Sequence, residues 1–350
     1  MDSRKAIVDT PGALREMLEK RRTEYEALIR RTRWGDGPLF IVGRGSSLFA
    51  GMTAGLGFES LVGWPTVVRE ATEFSAHALG VLRPRSAVLA ISQSGESPET
   101  LEAARAAHSR GATVLALTSA AQSTLAALAD GIFLVGEGGE SASDGSSSVC
   151  RHAALGYISL VAAQVLKRHH PQIAALESEF QKLPEHIEWV LTQLGDAVRP
   201  FAAGLKGCEI LTVLAGGFFY AIAADWARMH SRKMRVPVEC VAPFEDELDC
   251  FRKPAAGRAV MFISNSRCRL KKAVHKAAAR AERAGIKSLT ITDRDDRELQ
   301  NRSSLAILLP SLHESTGAVL TLALLEWVTS QAAGERVSGP RRAQPNSRRD

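Results

Sequence analysis

The segment Ser92–Ser97 (SQSGES) combines side chains that can bind an anion at the end of an apolar run. Ser92, Ser94 and Ser97 supply hydroxyl donors, and Gln93 supplies amide donors. Gly95 allows a ligand to approach the backbone closely. Pro98 is suited to the first turn of a helix, so a helix is predicted to begin after the loop. The unpaired backbone N–H groups and the dipole at the N-terminus of that helix favour an anion such as phosphate.

A second candidate segment is GRGSS at Gly43–Ser47, which also follows an apolar run. Gly45, Ser46 and Ser47 are candidate ligand contacts, because they would face the same crevice at the strand ends. A single serine at such a position is typical of a helix cap. Four polar side chains around one glycine in the first loop favour anion binding instead. Neither loop is a Walker loop or a G-x-G-x-x-G fingerprint, so nucleotide binding gains no support.

The elements that must position these loops occur twice. Leu39–Gly45 (LFIVGRG) and Ile210–Gly217 (ILTVLAGG) are buried-strand runs that end in glycine. In each half, further strands alternate with amphipathic helices. This order predicts the α/β class: two doubly wound, mostly parallel sheets with helical connectors, related by an approximate internal two-fold.

The same patterns predict five segments along the chain. They are a helical segment at 1–38, a first domain at 39–166, a helical connector at 167–207, a second domain at 208–333 and a basic tail at 334–350.

Composition excludes several classes of protein. The content of 45% hydrophobic and 23% charged residues is that of a globular protein, and neither a signal peptide nor a membrane span is predicted, so a cytoplasmic location is expected.

Five cysteines without C-x-x-C spacing favour free thiols over disulfides or a metal site. The net charge is +6, the most concentrated basic stretch is the tail and aromatic residues are only 6%, so nucleic acid is not an expected partner. No metal and no cofactor is expected.

GRGSS, SQSGESPETLEA and GGESASDGSSS together resemble the sugar isomerase (SIS) domains of the isomerase half of glutamine–fructose-6-phosphate aminotransferase. The resemblance extends from about Pro38 to Arg341, and it implies a homodimer, because the family's active sites draw on a second subunit. It also implies that Glu140 lies near the first-domain site. The positions implied to hold a sugar phosphate are Ser47, Ser92, Gln93, Ser94 and Ser97. No glutaminase half is expected, since the chain starts with Met1 and has no N-terminal nucleophilic cysteine.

The sequence departs from the family at its catalytic positions. An ungapped comparison puts Arg232 where the family has a glutamate, Leu248 where it has a histidine, and Pro345 where it has a lysine. Because the lysine is absent, we expect no glutamine-dependent aminotransferase activity.

Other ionisable groups occupy the same neighbourhood, and they are the candidate acid–base residues. Glu239 keeps an acidic position of the family and Glu245 lies in a nearby acidic run, so either is a candidate base, with His230 assisting. Arg232 is a candidate substrate contact. The alternative is structural: His230 is then a polar residue of an amphipathic helix, Glu239 a capping or pairing group, and the acidic run a solvated loop.

Two functions therefore remain open. The first is an isomerase, deaminase or deglycase of carbohydrate-derivative metabolism that acts on a hexose-phosphate derivative. The second is a non-catalytic or regulatory phosphosugar-binding protein that has lost the family's catalytic residues.

Overall fold

The computed structural model describes residues 3–32, 34, 37–136, 144–205, 208–234, 236–244 and 257–334. The basic tail predicted at 334–350 lies outside these residues, apart from Gly334.

The first half of the chain forms a five-stranded parallel sheet in the order β2-β1-β3-β4-β5. Its strands are β1 (Leu39–Gly43), β2 (Thr66–Glu70), β3 (Ala87–Ile91), β4 (Thr113–Thr118) and β5 (Gly131–Leu134). β1 and β3 are buried along their whole length, as their unbroken apolar runs require in a sheet that is covered on both faces.

The second half repeats this topology in the order β10-β9-β8-β6-β7. Its strands are β6 (Ile210–Ala215), β7 (Val238–Val241), β8 (Arg258–Ile263), β9 (Ser288–Asp293) and β10 (Leu305–Leu309). The first strand of each half pairs with the second and third strands, so the two sheets are equivalent strand for strand. The predicted fold class, two doubly wound α/β units, is confirmed.

Helices cover both sheets and fill the space between them. They are α1 (Ser3–Lys20), α2 (Arg22–Arg31), α3 (Ser46–Gly57), α4 (Ala71–Glu73), α5 (Pro98–Ser109), α6 (Thr124–Leu128), α7 (Asp144–Val165), α8 (Ile173–Gln193), α9 (Gly195–Leu205), α10 (Phe218–Met234), α11 (Lys271–Arg283), α12 (Arg297–Asn301) and α13 (Glu314–Gly334). α1 and α2 lie in the predicted N-terminal segment, and α8 and α9 in the predicted connector; the domain limits themselves stay predictions. No helix in the described ranges is long and apolar enough to cross a bilayer.

One apolar core runs between the two sheets. It joins the inner faces of β1 and β3 to those of β6 and β8 through α3, α7, α10 and α13. Smaller cores lie under α5 in the first half and under α11 in the second. The two halves therefore share their largest buried volume, and α3 packs directly against α10.

A buried polar network crosses the contact between the halves. The Asp225 carboxylate of α10 accepts a 2.5 Å hydrogen bond from the Ser148 hydroxyl and lies 3.2 Å from Nε2 of His152, both on α7. Nδ1 of His152 lies 2.7 Å from Oγ1 of Thr53 on α3. Burial alone would raise the pKa of Asp225, but the hydrogen bonds from His152 and Ser148 and the charges of His152 and Arg151 lower it.

Replacing Asp225 by alanine should destabilise the protein by about 3 kcal/mol, because it leaves buried partners on α7 unpaired. Urea unfolding at neutral pH measures this loss. The matched control is Asp196→Ala, which removes an exposed carboxylate that pairs with Arg199 on α9. The control should cost less than about 1 kcal/mol. Equal, small losses in both variants would contradict a structural role for the network.

Candidate functional site

The candidate site lies where the order of strands reverses in the first sheet. β1 and β3 are neighbours, while the connections from them lead in opposite directions to β2 and β4. In such sheets a crevice opens between the carboxyl ends of these two strands, and ligands bind there. Both predicted loops occupy this position: Gly43–Ser47 follows β1, and Ser92–Ser97, called here the serine loop, follows β3.

The serine loop is held in a fixed shape by its own hydrogen bonds. Oγ of the buried Ser92 lies 3.0 Å from Oγ of Ser97 and accepts a 3.1 Å bond from the N–H of Gly95. Gly95 has a φ of +68°, and a Cβ there would lie 2.0 Å from the hydroxyl of Ser123. Both the left-handed backbone and the close approach therefore require glycine at this position.

The side chains at the mouth of the serine loop have few protein partners. Ser97 stands at the N-cap of α5 but makes no side-chain hydrogen bond to the helix. Ser94 is exposed, and within the described residues its hydroxyl makes one hydrogen bond, accepting from the N–H of Glu96 over 3.2 Å. The backbone carbonyl of Gln93 accepts hydrogen bonds from the hydroxyl of Thr118 and the N–H of Ser119, and these two bonds fix the backbone that carries the Gln93 side chain. The cap interpretation thus does not account for Ser97.

The loop after β1 brings a second helix N-terminus to the same crevice. Gly45 has a φ of +59° and immediately precedes α3, which begins at Ser46. Ser47 is 7% exposed, and Ser46 is half-buried. An ion pair of 2.5 Å between Arg44 and Glu99 links this loop to the start of α5. Two helix N-termini and the predicted serines are therefore brought together, an arrangement that favours a bound anion.

Two arginines that sequence reasoning missed also contact the crevice. Nη1 of Arg151, a buried residue of α7, donates to Oγ of Ser47 over 3.4 Å. Nη1 of Arg228, on α10 of the second half, lies 3.5 Å from Oγ of Ser46. A charged residue inside the largely apolar sequence of α7 could have marked Arg151 as a candidate site residue. No local signal marks Arg228, because its position depends on how the two halves dock.

In the described part of the chain neither His230 nor Glu239 makes a hydrogen bond or ion pair with the two loops, and Glu245 lies outside that part. His230 is 1% exposed, and its Nε2 lies 2.7 Å from the carboxylate of Glu326 on α13. His230 follows Arg228 by two positions on α10, so the two side chains leave the helix in different directions. Glu239 is exposed on β7, the edge strand of the second sheet.

Glu140, Glu245, Leu248 and Pro345 lie outside the described residues. Arg232 belongs to α10, but its side chain is also outside the described part of the chain. These assignments stay predictions. In the described residues no three His, Cys, Asp or Glu side chains form a metal-binding group, and the four described cysteines are free thiols.

The equivalent loop of the second half is filled by the protein itself. Ser266 follows β8 as Ser94 follows β3, but the carboxylate of Asp293 accepts 3.0 Å and 2.7 Å bonds from its N–H and hydroxyl. Asp293 also accepts bonds from the N–H groups of Asp295 and Asp296. In the second half the Asp293 carboxylate thus accepts hydrogen bonds from the loop donors. The corresponding donors of the first half are left available for a ligand.

His313 and Glu314 close the second crevice beside α13. Nδ1 of His313 lies 2.8 Å from the Ser315 hydroxyl and accepts a bond from the Ser315 N–H. Burial lowers the pKa of His313 to about 4, and the charges of Arg269, His170 and Arg267 act in the same direction. Burial raises the pKa of Glu314, whose carboxylate accepts a hydrogen bond from the N–H of Arg269. His313 is therefore neutral at physiological pH.

Comparison with known proteins identifies relatives of the whole chain. The sequence model of the SIS domain family matches residues 36–164, the segment that holds the serine loop and the loop after β1. The glutamine–fructose-6-phosphate aminotransferase (isomerizing) of Symbiobacterium thermophilum is 26% identical over 350 residues, which cover 96% of this chain and 57% of that protein. That of Treponema pallidum is 32% identical over 208 residues, which cover 58% of this chain and 32% of that protein. The matched residues thus span little more than half of the first relative and about a third of the second.

Solved structures share the fold over almost the entire chain. The C-terminal domain of glucosamine-fructose-6-phosphate aminotransferase from Francisella tularensis superposes with a TM-score of 0.83 at 20% identity, covering 95% of each chain. Glucosamine-6-phosphate deaminase from Thermotoga maritima gives a TM-score of 0.71 at 16% identity, covering 95% of this chain and 94% of that chain. The two-unit architecture is therefore that of a known structural group.

The low pKa of His313 predicts a loss of stability in acid. The unfolded chain binds a proton on this residue near pH 6.5, whereas the folded protein resists protonation until about pH 4. Stability contributed by neutral His313 is thus lost as the pH falls through this window, by roughly 2 kcal/mol between pH 6.5 and 4.5. Urea unfolding of wild type and His313→Asn at both pH values measures the difference. His77→Asn, at an exposed site, is the control; an equal acid loss in wild type and His313→Asn would contradict the assignment.

Proposed function

We propose that this chain, which carries an SIS domain at residues 36–164, is a phosphosugar-binding enzyme whose serine loop holds the phosphate of a hexose-phosphate derivative. One observation carries the proposal. The hydroxyls of Ser92 and Ser97 lie 3.0 Å apart at the start of α5, which the Arg44–Glu99 ion pair links to the loop of Ser47 at the start of α3, and Ser97 makes no side-chain cap bond. A phosphate with several acceptor oxygens matches this set of hydroxyl and N–H donors.

We propose a distinct part for each group around the phosphate. Ser92 and Ser97 form the floor, because their hydroxyls already lie 3.0 Å apart and can turn their hydrogens toward a bound oxygen. Ser94 and the Gln93 amide contribute from the open side of the serine loop, and Ser47 from the start of α3. The sugar then extends from the crevice, and its proposed contacts are Gly45, Ser46 and Glu140 from the first half and Arg232 from the second.

The reaction proposed is isomerisation, deamination or deglycation of the bound hexose phosphate. Solved structures of proteins named for two of these reactions share the fold: a glucosamine-6-phosphate deaminase from Thermotoga maritima and a tagatose-6-phosphate ketose/aldose isomerase from Escherichia coli, which superposes with a TM-score of 0.74 at 14% identity. Such chemistry needs a base that moves a proton between adjacent carbons. Glu239 or Glu245 is the proposed base. His230 assists through its buried pair with Glu326.

A second candidate function is supported by the changes at the family's catalytic positions. Arg232, Leu248 and Pro345 replace the glutamate, histidine and lysine that the resemblance implies, and His230 is enclosed against Glu326. A protein with a complete anion site and these replacements would bind a phosphosugar without converting it. A homodimer and a cytoplasmic location are proposed for either function.

Loss of a serine hydroxyl should weaken phosphosugar binding. In Ser92→Ala and Ser94→Ala proteins a hydrogen bond to a charged oxygen is lost, so affinity for fructose 6-phosphate should fall by about 10- to 100-fold. Isothermal titration measures this, with unphosphorylated fructose as the ligand control. Ser109→Ala, at the exposed end of α5, is the protein control and should bind as wild type does. Unchanged affinity in both loop variants would rule out the serine loop as the phosphate site.

Proton exchange separates the enzyme from the binding protein. With fructose 6-phosphate in deuterated water, an isomerase-type base exchanges the proton on the carbon beside the carbonyl, and NMR follows the exchange. If Glu239 is the base, Glu239→Gln should abolish exchange while ligand affinity is retained, because only the proton acceptor is lost. Tight binding of a phosphosugar without any exchange in wild type would instead establish the non-catalytic function.

A further inference from the structure

Arg228 belongs to the second half of the molecule, but its guanidinium lies at the candidate site in the first half. It lies on α10, yet its Nη1 is 3.5 Å from Oγ of Ser46. A Cβ at Gly45 would lie 2.6 Å from Nη2 of Arg228, so the guanidinium packs directly on the backbone of the loop. The absence of a side chain at Gly45 is what permits this approach.

The Arg228 guanidinium has no counter-charge in the part of the chain that the structure describes. Within the described ranges no carboxylate forms an ion pair with Arg228, whereas neighbouring Arg44 is paired with Glu99. The contact with Ser46 is at the limit of hydrogen-bond length and leaves most of the five N–H donors of Arg228 available. A cation of this kind beside two helix N-termini produces a site of positive potential that is neutralised best by an anion.

The fold itself does not require a charge at this position, as the internal repeat demonstrates. Gly45 and Gly217 both have a φ of +59° and immediately precede α3 and α10, the equivalent helices of the two halves. Arg228 follows Gly217 by eleven residues, and Leu56 follows Gly45 by the same number. Leu56 lines an apolar cleft of about 350 Å³ beside Gly216 and Gly217. The repeat thus places an aliphatic residue over one crevice and an arginine over the other.

We propose that Arg228 is a phosphate ligand that determines the specificity of the site for an anion, so that the second half completes the binding site of the first. Its planar fork can donate two N–H bonds to two oxygens of one phosphate group. In this proposal the serine loop and Ser47 bind the phosphate from the first half, and Arg228 donates to it from α10. This inference rests on the proposed function, because it concerns the same anion site.

Titration of Arg228→Gln with inorganic phosphate and with fructose 6-phosphate tests the inference. We expect an affinity at least 10-fold weaker for both ligands, since a charge-assisted contact is lost. Arg228→Lys keeps the charge but not the fork and should recover only part of the affinity. Arg105→Gln, which removes an exposed arginine from α5, is the charge-matched control and should change affinity less than 3-fold. All variants should melt at the wild-type temperature, because both arginines are exposed.

The outcomes separate this inference from the proposed function. Wild-type affinity in Arg228→Gln, or an equal loss in Arg105→Gln, would overturn the role of Arg228 and leave the serine loop proposal intact. If wild type binds inorganic phosphate but no sugar phosphate, and Arg228→Gln weakens that binding, the arginine role stands and the phosphosugar function fails. If wild type binds neither ligand, both are wrong.

Discussion

The packing of α3 against α10 is the contact on which the rest of the structure depends. These two helices begin at the carboxyl ends of equivalent strands, and their contact fixes how the two sheets are placed. The buried Asp225 carboxylate reinforces it by joining α10 to His152 and Ser148 on α7, and through His152 to Thr53 on α3. A buried carboxylate is costly unless it is hydrogen-bonded, so this network permits few alternative dockings of the two halves.

Arg228 follows Asp225 by three residues on α10, and the same docking places its guanidinium against Gly45. Nearly one helical turn separates a buried structural carboxylate from a cation at the mouth of the candidate site. The network therefore has a functional consequence as well as a structural one, since movement of α10 relative to α3 would withdraw the guanidinium from the anion site.

The two halves use one topology for different purposes. In the first half the donors at the strand ends are left available, and Gly95 and Gly45 let backbone and guanidinium approach closely. In the second half Asp293 fills the equivalent donors with an internal carboxylate. The repeated topology places a crevice at equivalent strand ends in each half, and local side chains decide which one can accept a ligand.

The sequence predicted the features that depend on neighbouring residues. Unbroken apolar runs ending in glycine marked β1 and β6, and the serines around Gly95 marked the loop after β3, because both signals are local. Contacts between segments that are distant in the sequence could not be predicted from such local signals. Arg228 reaches Ser46, and His230 meets Glu326, only after α10 has docked on α3 and α13. Amphipathic periodicity could place His230 on a helix but could not name its buried partner.

A crystal structure of the protein with fructose 6-phosphate would show directly whether the serine loop holds the phosphate. We expect phosphate density at the serine loop, within hydrogen-bond distance of Ser92, Ser94 and Ser97 and between the N-termini of α3 and α5. Phosphate density beside Ser266 in the second half, or at any site away from the serine loop, would contradict it.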